Sequence, residues 1–351
     1  MAALVAALLA AGPGAHAAPG VQARRVVSGL DQPVAFTFGP GPTLWYVEKA
    51  SGQIHTYDLG SDQDTLFDVV PGVNGQGERG LLGIALHPRY PQVPSVYVYA
   101  TRAVRGRLRN QIVRITEVPG GTERRVIFSS PASASPYHNG GRILFGPDGL
   151  LYAIVGDGHD AANAQDLSGE DRGKLLRMTP NGDVPASNPR NTLMFAYGIR
   201  NSFGFAFDPE TGDLWETENG PACNDEVNRV RRGRNYGWGP SATCDGSSPG
   251  NTNRDGPRPD RPELFYEQPI GITGIAFCEG CGLGAVSDGR AFFGSVNTGQ
   301  ITRVALDARR RAVRGHVVVF SHDRGVLSIE AAPGGALYFS DVGAIWRLVG
   351  A

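Results

Sequence analysis

His138 stands beside Asn139-Gly140-Gly141 in PYHNGGRILFGPDGLLYAIVGDG, and Asp157 closes the second of the two strand-like runs that follow it. A histidine in a glycine-rich loop can offer one ring nitrogen as a general base, because an unperturbed imidazole titrates near about 6.5. An aspartate on the other nitrogen would orient the ring and stabilise the imidazolium. In YGIRNSFGFAFDP, Arg200 and Asn201 lie between glycines and supply a cation and an amide able to grip an anion or a developing oxyanion. The run ETENGPACNDEVN (216–228) carries the hard oxygen donors that calcium takes: the Glu218 and Asp225 carboxylates, asparagine amides, and backbone carbonyls around Gly220-Pro221. It lacks the regular D-x-D-x-D-G spacing, so a calcium site there would be irregular. A fourth polar loop, NGQGERGLLGIALHP (74–88), contains Glu78.

Each of these residues also has a structural reading. A histidine beside Asn-Gly is commonly a surface loop residue. Asp157 and Asp341 can cap strand ends, and Arg200 can tie neighbouring elements through their carbonyls. His87, His316 and His322 read as structural. The chemical reading needs an architecture that brings distant loops together.

That architecture is written in the turns. The phrases GPTLWYVE (41–48), PSVYVYAT (94–101), DGLLYAIVGD (148–157), TGDLWETE (211–218), DGRAFFGS (288–295) and GGALYFSD (334–341) share one grammar. In most, a glycine or aspartate turn precedes a short apolar-aromatic run that ends in small or acidic residues. Several are followed by a second strand with a basic residue near its end: GQIHTYDL, NQIVRITEV, GKLLRMTP, GQITRVAL and GAIWRL. Turn, strand, turn, strand, repeated without helical periodicity, predicts an all-β fold: a six-bladed β-propeller of four-stranded antiparallel blades over residues 19–351. Propeller loops converge on a central channel, so residues far apart in sequence can share one pocket.

Composition agrees with this and excludes other classes. The 49 glycines and 25 prolines suit many tight turns, and 41% hydrophobic with 19% charged residues is ordinary globular material. A net charge of −1 gives no footprint for nucleic acid, and RRGR (231–234) is a short solvated patch. Residues 1–18 read as a secretory signal: an apolar run, then Gly-Pro, then the small-residue site Ala15-His16-Ala17. That run is shorter than the roughly 20 residues needed to cross a bilayer, and no later segment is apolar enough, so no transmembrane segment is expected. A secreted or periplasmic location follows. Four cysteines allow three pairings, of which Cys223 with Cys244 and Cys278 with Cys281 is the expected one. A zinc site built on C-x-x-C would need a second close Cys/His pair.

Taken together, GERGLLGIALHP, YHNGGRILFGPDGLLYAIVGDG, GKLLRMTPNGD, YGIRNSFGFAFDP, ENGPACNDEVNRV and NYGWG resemble the soluble quinoprotein glucose/sorbosone dehydrogenase family, which includes the aldose sugar dehydrogenases. The resemblance covers nearly all of the chain after the signal. It implies a six-bladed propeller using pyrroloquinoline quinone (PQQ) and Ca2+ to oxidise the anomeric carbon of an aldose to a lactone, with electrons leaving to an external acceptor. His138 matches the family's base, Asp157 the residue that orients it, Arg200-Asn201 the pair that contacts the quinone, and Gly220-Pro221 the carbonyls that hold calcium. The chain departs from the family pattern in three places. Glu78 replaces a glutamine and places a charge near the substrate. Asn297 stands where some members carry a quinone-binding lysine. Gly325 and Leu327 occupy positions of arginines, leaving Arg324 nearby. Arg303, Arg324, Arg290 and Lys174 are the cations that the motifs place closest to the gap. Two alternatives stay open on the residues: a non-catalytic, calcium-stabilised binding propeller and a calcium-dependent lactonase.

Overall fold

The computed structural model describes residues 20–244 and 253–351, so the segment read as a signal lies outside the described residues. Twenty-four strands form six four-stranded antiparallel sheets. From the channel outward, blade 1 is Ala35–Phe38, Thr43–Val47, Gln53–Asp58 and Gln63–Val69. Blade 2 is Leu81–Leu86, Ser95–Val104, Arg107–Val118 and Gly121–Pro131. Blade 3 is Ile143–Phe145, Leu151–Val155, Lys174–Met178 and Met194–Tyr197. Blade 4 is Ser202–Phe207, Leu214–Glu218, Asp225–Val230 and Leu264–Tyr266. Blade 5 is Ile272–Phe277, Ala291–Ser295, Gln300–Leu306 and Val313–Ser321. Blade 6 is composite: Ser328–Ala331, Leu337–Ser340 and Ala344–Gly350 come from the end of the chain, and Val21–Ser28 from its beginning supplies the outer strand.

Each of the six repeated phrases falls on the second strand of one blade, and the phrases that follow them fall on third strands. The composition of these strands follows from burial. Leu151–Val155 is LYAIV, buried at every position because both faces of the sheet pack on neighbouring blades. The outermost strand of blade 1 has one neighbour only, and its first four residues are exposed. Six apolar clusters fill the gaps between adjacent blades, from Trp45 and Val98 between blades 1 and 2 to Phe36 and Ile345 between blades 6 and 1. Each fully buried aromatic or aliphatic side chain contributes about 1.5–3 kcal/mol.

Where blades meet at the axis, only glycine fits. A Cβ on Gly83 would lie 2.1 Å from the Gly141 carbonyl oxygen. The inner strands of blades 2, 4 and 5 each slip register near their first residues, at Leu81/Gly83, Ser202/Gly204 and Ile272/Ile275. Such bulges re-aim side chains at the channel mouth. On blade 3, Gly149 adopts φ +73° in the Gly146–Gly149 turn and returns the chain, so that His138 and Asp157 reach the same rim.

The channel has a polar cross-member. Arg142 leaves blade 3 and bonds Glu330 (3.0 Å) and Ser328 (2.7 Å) of blade 6, on the opposite side of the ring. Burial pushes the Glu330 carboxyl up to about 7, against the pull of Arg142, and its side chain is 24% exposed. An acid raised from 4.5 favours the protonated fold: its contribution is complete below the unfolded value and is lost as pH rises through about 7. Between pH 5 and 8 the wild-type melting temperature should therefore fall by about 2–5 °C. Glu330→Gln, which mimics the protonated acid, should flatten that fall in thermal melts. An unchanged slope would refute the assignment.

Candidate active site

The loops at one rim enclose a cavity of about 570 Å³, within the range of small-molecule sites. Its wall draws on every blade: Lys49, Glu78, His138, Arg142, Arg200, Asn201, Gly220, Pro221, Asn297 and Leu327 are among the lining residues.

His138 takes a left-handed φ of 59°, unusual for a side chain of this size. Three contacts hold it there. Its N–H donates to Glu78 Oε2 (2.7 Å), its carbonyl accepts the Gly158 N–H, and Gly156 packs so close that a Cβ would lie 2.5 Å from the His138 oxygen. The next residue, Asn139, is fully buried and accepts hydrogen bonds from the Ser133 N–H and the Asn110 amide, which fixes the loop. The His138 Nδ1 lies 2.7 Å from Asp157 Oδ1, and Trp238 Nε1–H donates to Asp157 Oδ2 at 2.7 Å. Asp157 also accepts the His159 N–H, so its orientation is over-determined. Nδ1 is committed to the carboxylate; Nε2 makes no hydrogen bond among the described residues, and His138 lines the cavity.

Arg200 is anchored at both ends. Its N–H donates to Glu218 Oε1 (2.7 Å), and Nη1 donates to the Asn219 carbonyl (2.8 Å). The guanidinium carbon sits 5.2 Å from the centroid of the Trp238 ring, in cation–π range. The Asn201 amide donates to Glu78 (3.1 Å), while Asn201 Oδ1 and Arg200 Nε have no partner among the described residues. Glu78 thus bonds the backbone of the histidine and the side chain of Asn201, a role that its position in the sequence did not reveal.

Beyond Arg200, blade 4 buries three carboxyls together: Glu216, Glu218 and Glu226. Burial raises all three pKa values, and the charges of Glu216 and Glu226 push Glu218 up further still. Asp225 has both oxygens occupied by backbone, one by the Gly220 N–H and the other by the N–H groups of Ile270, Gly271 and Ile272. It shapes the Gly220 loop, with three N–H groups on Oδ2 and one on Oδ1. Among the described residues no group of three or more His, Cys, Asp and Glu side chains is arranged around a metal position. Gly220 and Pro221 line the cavity, as does Asn201, whose Oδ1 is unpartnered among the described residues.

The structure answers where the missing cations went. Arg324 lies outside this cavity, in a separate one of about 450 Å³ with His322, Asp341 and Trp346. Arg303 bonds Ser287 (3.2 Å), and Lys174 is fully buried against the carbonyls of Asn163, Ala164 and Arg172. That burial lowers the Lys174 pKa to about 8. Asn297 and Leu327 line the cavity without charge, whereas Lys49, which no motif singled out, lines it with an ammonium. Both cysteine pairings are as expected, Cys223–Cys244 and Cys278–Cys281, which leaves no thiol for a zinc site.

Removing the Asp225 carboxylate should orphan four buried N–H donors. Asp225→Ala should lower unfolding stability by about 3 kcal/mol or more in urea denaturation. A loss below about 1 kcal/mol would show that the loop does not depend on it.

Comparison with known proteins agrees with this geometry. The glucose/sorbosone dehydrogenase family profile matches residues 30–347. The chain is 31% identical over 230 residues to an aldose sugar dehydrogenase of Escherichia coli, covering 61% of this chain and 60% of the relative. It is 32% identical over 245 residues to quinoprotein glucose dehydrogenase B of Acinetobacter calcoaceticus, covering 61% and 51%. The aligned region thus spans only half to three fifths of those relatives. The PQQ-bound aldose sugar dehydrogenase of Streptomyces coelicolor superposes with a TM-score of 0.80 at 28% identity, over 97% of this chain and 100% of that one. Propeller, rim loops and sequence profile converge: the chain belongs to the glucose/sorbosone dehydrogenase family.

Proposed function

We propose that this protein is an exported aldose dehydrogenase that oxidises the anomeric carbon of a sugar to a lactone. The observation that carries this reading is His138: Nδ1 held by Asp157, Nε2 unengaged at the cavity, Arg200 and Asn201 on the same wall. The base would accept the anomeric hydroxyl proton at Nε2 as the C1–O bond gains double-bond character and hydride leaves C1. Asp157 would stabilise the imidazolium that forms, and the Trp238 N–H would keep the carboxylate from rotating away. Arg200, stacked on Trp238, would hold negative charge at the opposite end of the reacting pair.

The residues present fit a flat, anionic cofactor. The cavity is large enough, and its wall carries Arg200, Asn201, Lys49 and the Gly220-Pro221 segment. Arg200 and Asn201 would hold PQQ, and the Gly220 and Pro221 carbonyls would hold calcium. When bound, PQQ supplies the two-electron acceptor for hydride and calcium polarises its carbonyl. Electrons then pass to an external carrier. Two disulfides suit an oxidising compartment, and no helix among the described residues is long and apolar enough to cross a membrane.

A binding propeller without turnover is the second reading, favoured by the uncharged Asn297 and Leu327 on the cavity wall. Dye reduction separates the two. With PQQ, Ca2+ and a panel of aldoses, the wild type should reduce dye, and His138→Ala should lose about 10²–10⁴-fold in kcat while retaining quinone binding. Silence of the wild type toward every aldose, with calcium still raising its melting temperature, would favour the binding reading.

A further inference from the structure

Three basic side chains line the cavity: Lys49, Arg142 and Arg200. Their commitments differ. Arg142 is spent on Glu330 and Ser328 across the channel. Arg200 and Lys49 have no carboxylate within ion-pair distance among the described residues. Lys49 donates one hydrogen bond, to the Gly75 carbonyl at 2.9 Å, which leaves two of its three N–H groups unspent. Burial lowers its pKa, and Asp31 and Glu78 oppose that shift from a distance. Glu78 makes no ion pair with the ammonium; its Oε2 receives the His138 N–H and the Asn201 amide.

Placement gives this cation a purpose. Lys49 follows the second strand of blade 1, and Arg200 precedes the inner strand of blade 4. Blades 1 and 4 face each other across a six-membered ring, so the two cations reach the cavity from opposite sides, with the His138 loop on the wall between them. The blade 5 and blade 6 walls contribute Val296, Asn297 and Leu327, none of them charged. Among the described lining residues, Lys49 and Arg200 are the Lys/Arg side chains that no carboxylate engages, whereas Arg142 is committed across the channel.

We propose that Lys49 is the second anion anchor of the site and binds a carboxylate of the quinone, opposite the group held by Arg200. The proposal rests on the quinone reading given above. PQQ is a planar tricarboxylate, and the anchor moves from the blade 5 and 6 walls to blade 1, beside the Glu78 loop. Lys49 also supports that loop, since the Leu81 N–H donates to its carbonyl and Gly80 packs against its stem. The test must therefore separate charge from support.

The experiment is calorimetric titration of the calcium-loaded apoprotein with PQQ, using wild type, Lys49→Met and Lys49→Arg, each with a thermal melt. Methionine keeps the apolar stem and removes the charge. The expected result is a Kd about 10–100-fold weaker for Lys49→Met, recovery to within a few-fold for Lys49→Arg, and little change in melting temperature. The affinity of Lys49→Met should also depend less on salt than that of the wild type, because one ion pair is gone. Measurable wild-type binding with an unchanged Kd in Lys49→Met overturns the assignment and leaves the quinone reading intact. Weak binding by both variants with a large drop in melting temperature overturns it too, because Lys49 would then act through the loop. An unchanged quinone Kd with a raised KM for a uronic acid would place a sugar carboxylate there instead and also overturn it. No wild-type binding of PQQ removes both the proposal and the reading beneath it.

Discussion

Everything at the rim depends on one strand pairing. Val21–Ser28 lies antiparallel to Ala344–Gly350, from Val21 opposite Gly350 to Ser28 opposite Ala344. This joins the two ends of the chain in one blade and closes the ring. Without it, the apolar cluster between blades 6 and 1, with Phe36, Tyr46 and Ile345, would face water. The consequence reaches the cavity because its wall is assembled from all six blades. Lys49 comes from blade 1, Glu78 from the approach to blade 2, His138 from the approach to blade 3, and Leu327 from the approach to blade 6. A ring that gaped at its seam would keep its strands and lose the convergence of its loops.

Within the closed ring, polar groups are positioned by other polar groups more than by packing. Asp157 takes hydrogen bonds from a histidine ring, a tryptophan and a backbone N–H, and Asp225 takes four from backbone. Each aspartate holds one side of the site. Glu78 joins the two sides, touching the histidine backbone and Asn201 together. Buried networks of this kind are costly unless satisfied, and the unpartnered atoms cluster on blade 4, at Glu216 Oε2, Glu218 Oε2, Glu226 Oε1 and Asn228 Oδ1.

The propeller was legible because its signal is local and repeated. Turn residues and apolar runs recur in each blade, and six copies reinforce one another. His138, Asp157 and Arg200-Asn201 were legible because their neighbours form recognisable phrases. Lys49 was not, since WYVEKASGQ reads as an ordinary strand end and only ring closure shows which way it faces. Trp238 reads as part of a loop, and its bond to Asp157 spans 81 residues. Arg324 follows the same logic in reverse. Proximity in sequence to the inner strand of blade 6 suggested the channel, but its side chain sits in the neighbouring cavity beside Asp341. Sequence gives the rim a residue belongs to; which cavity on that rim receives its side chain is decided by tertiary contacts.

The Arg142–Glu330 cross-member has a consequence for traffic. A propeller channel open at both ends would let one molecule arrive as another departs through the far side. Here an arginine with 6% exposed side chain spans the axis and forms a floor. The cavity is therefore crossed by a buried ion pair that a molecule entering at the rim would meet. Under the proposed reading, an electron donor and an electron acceptor that both use this rim would occupy it in turn, each leaving before the next arrives.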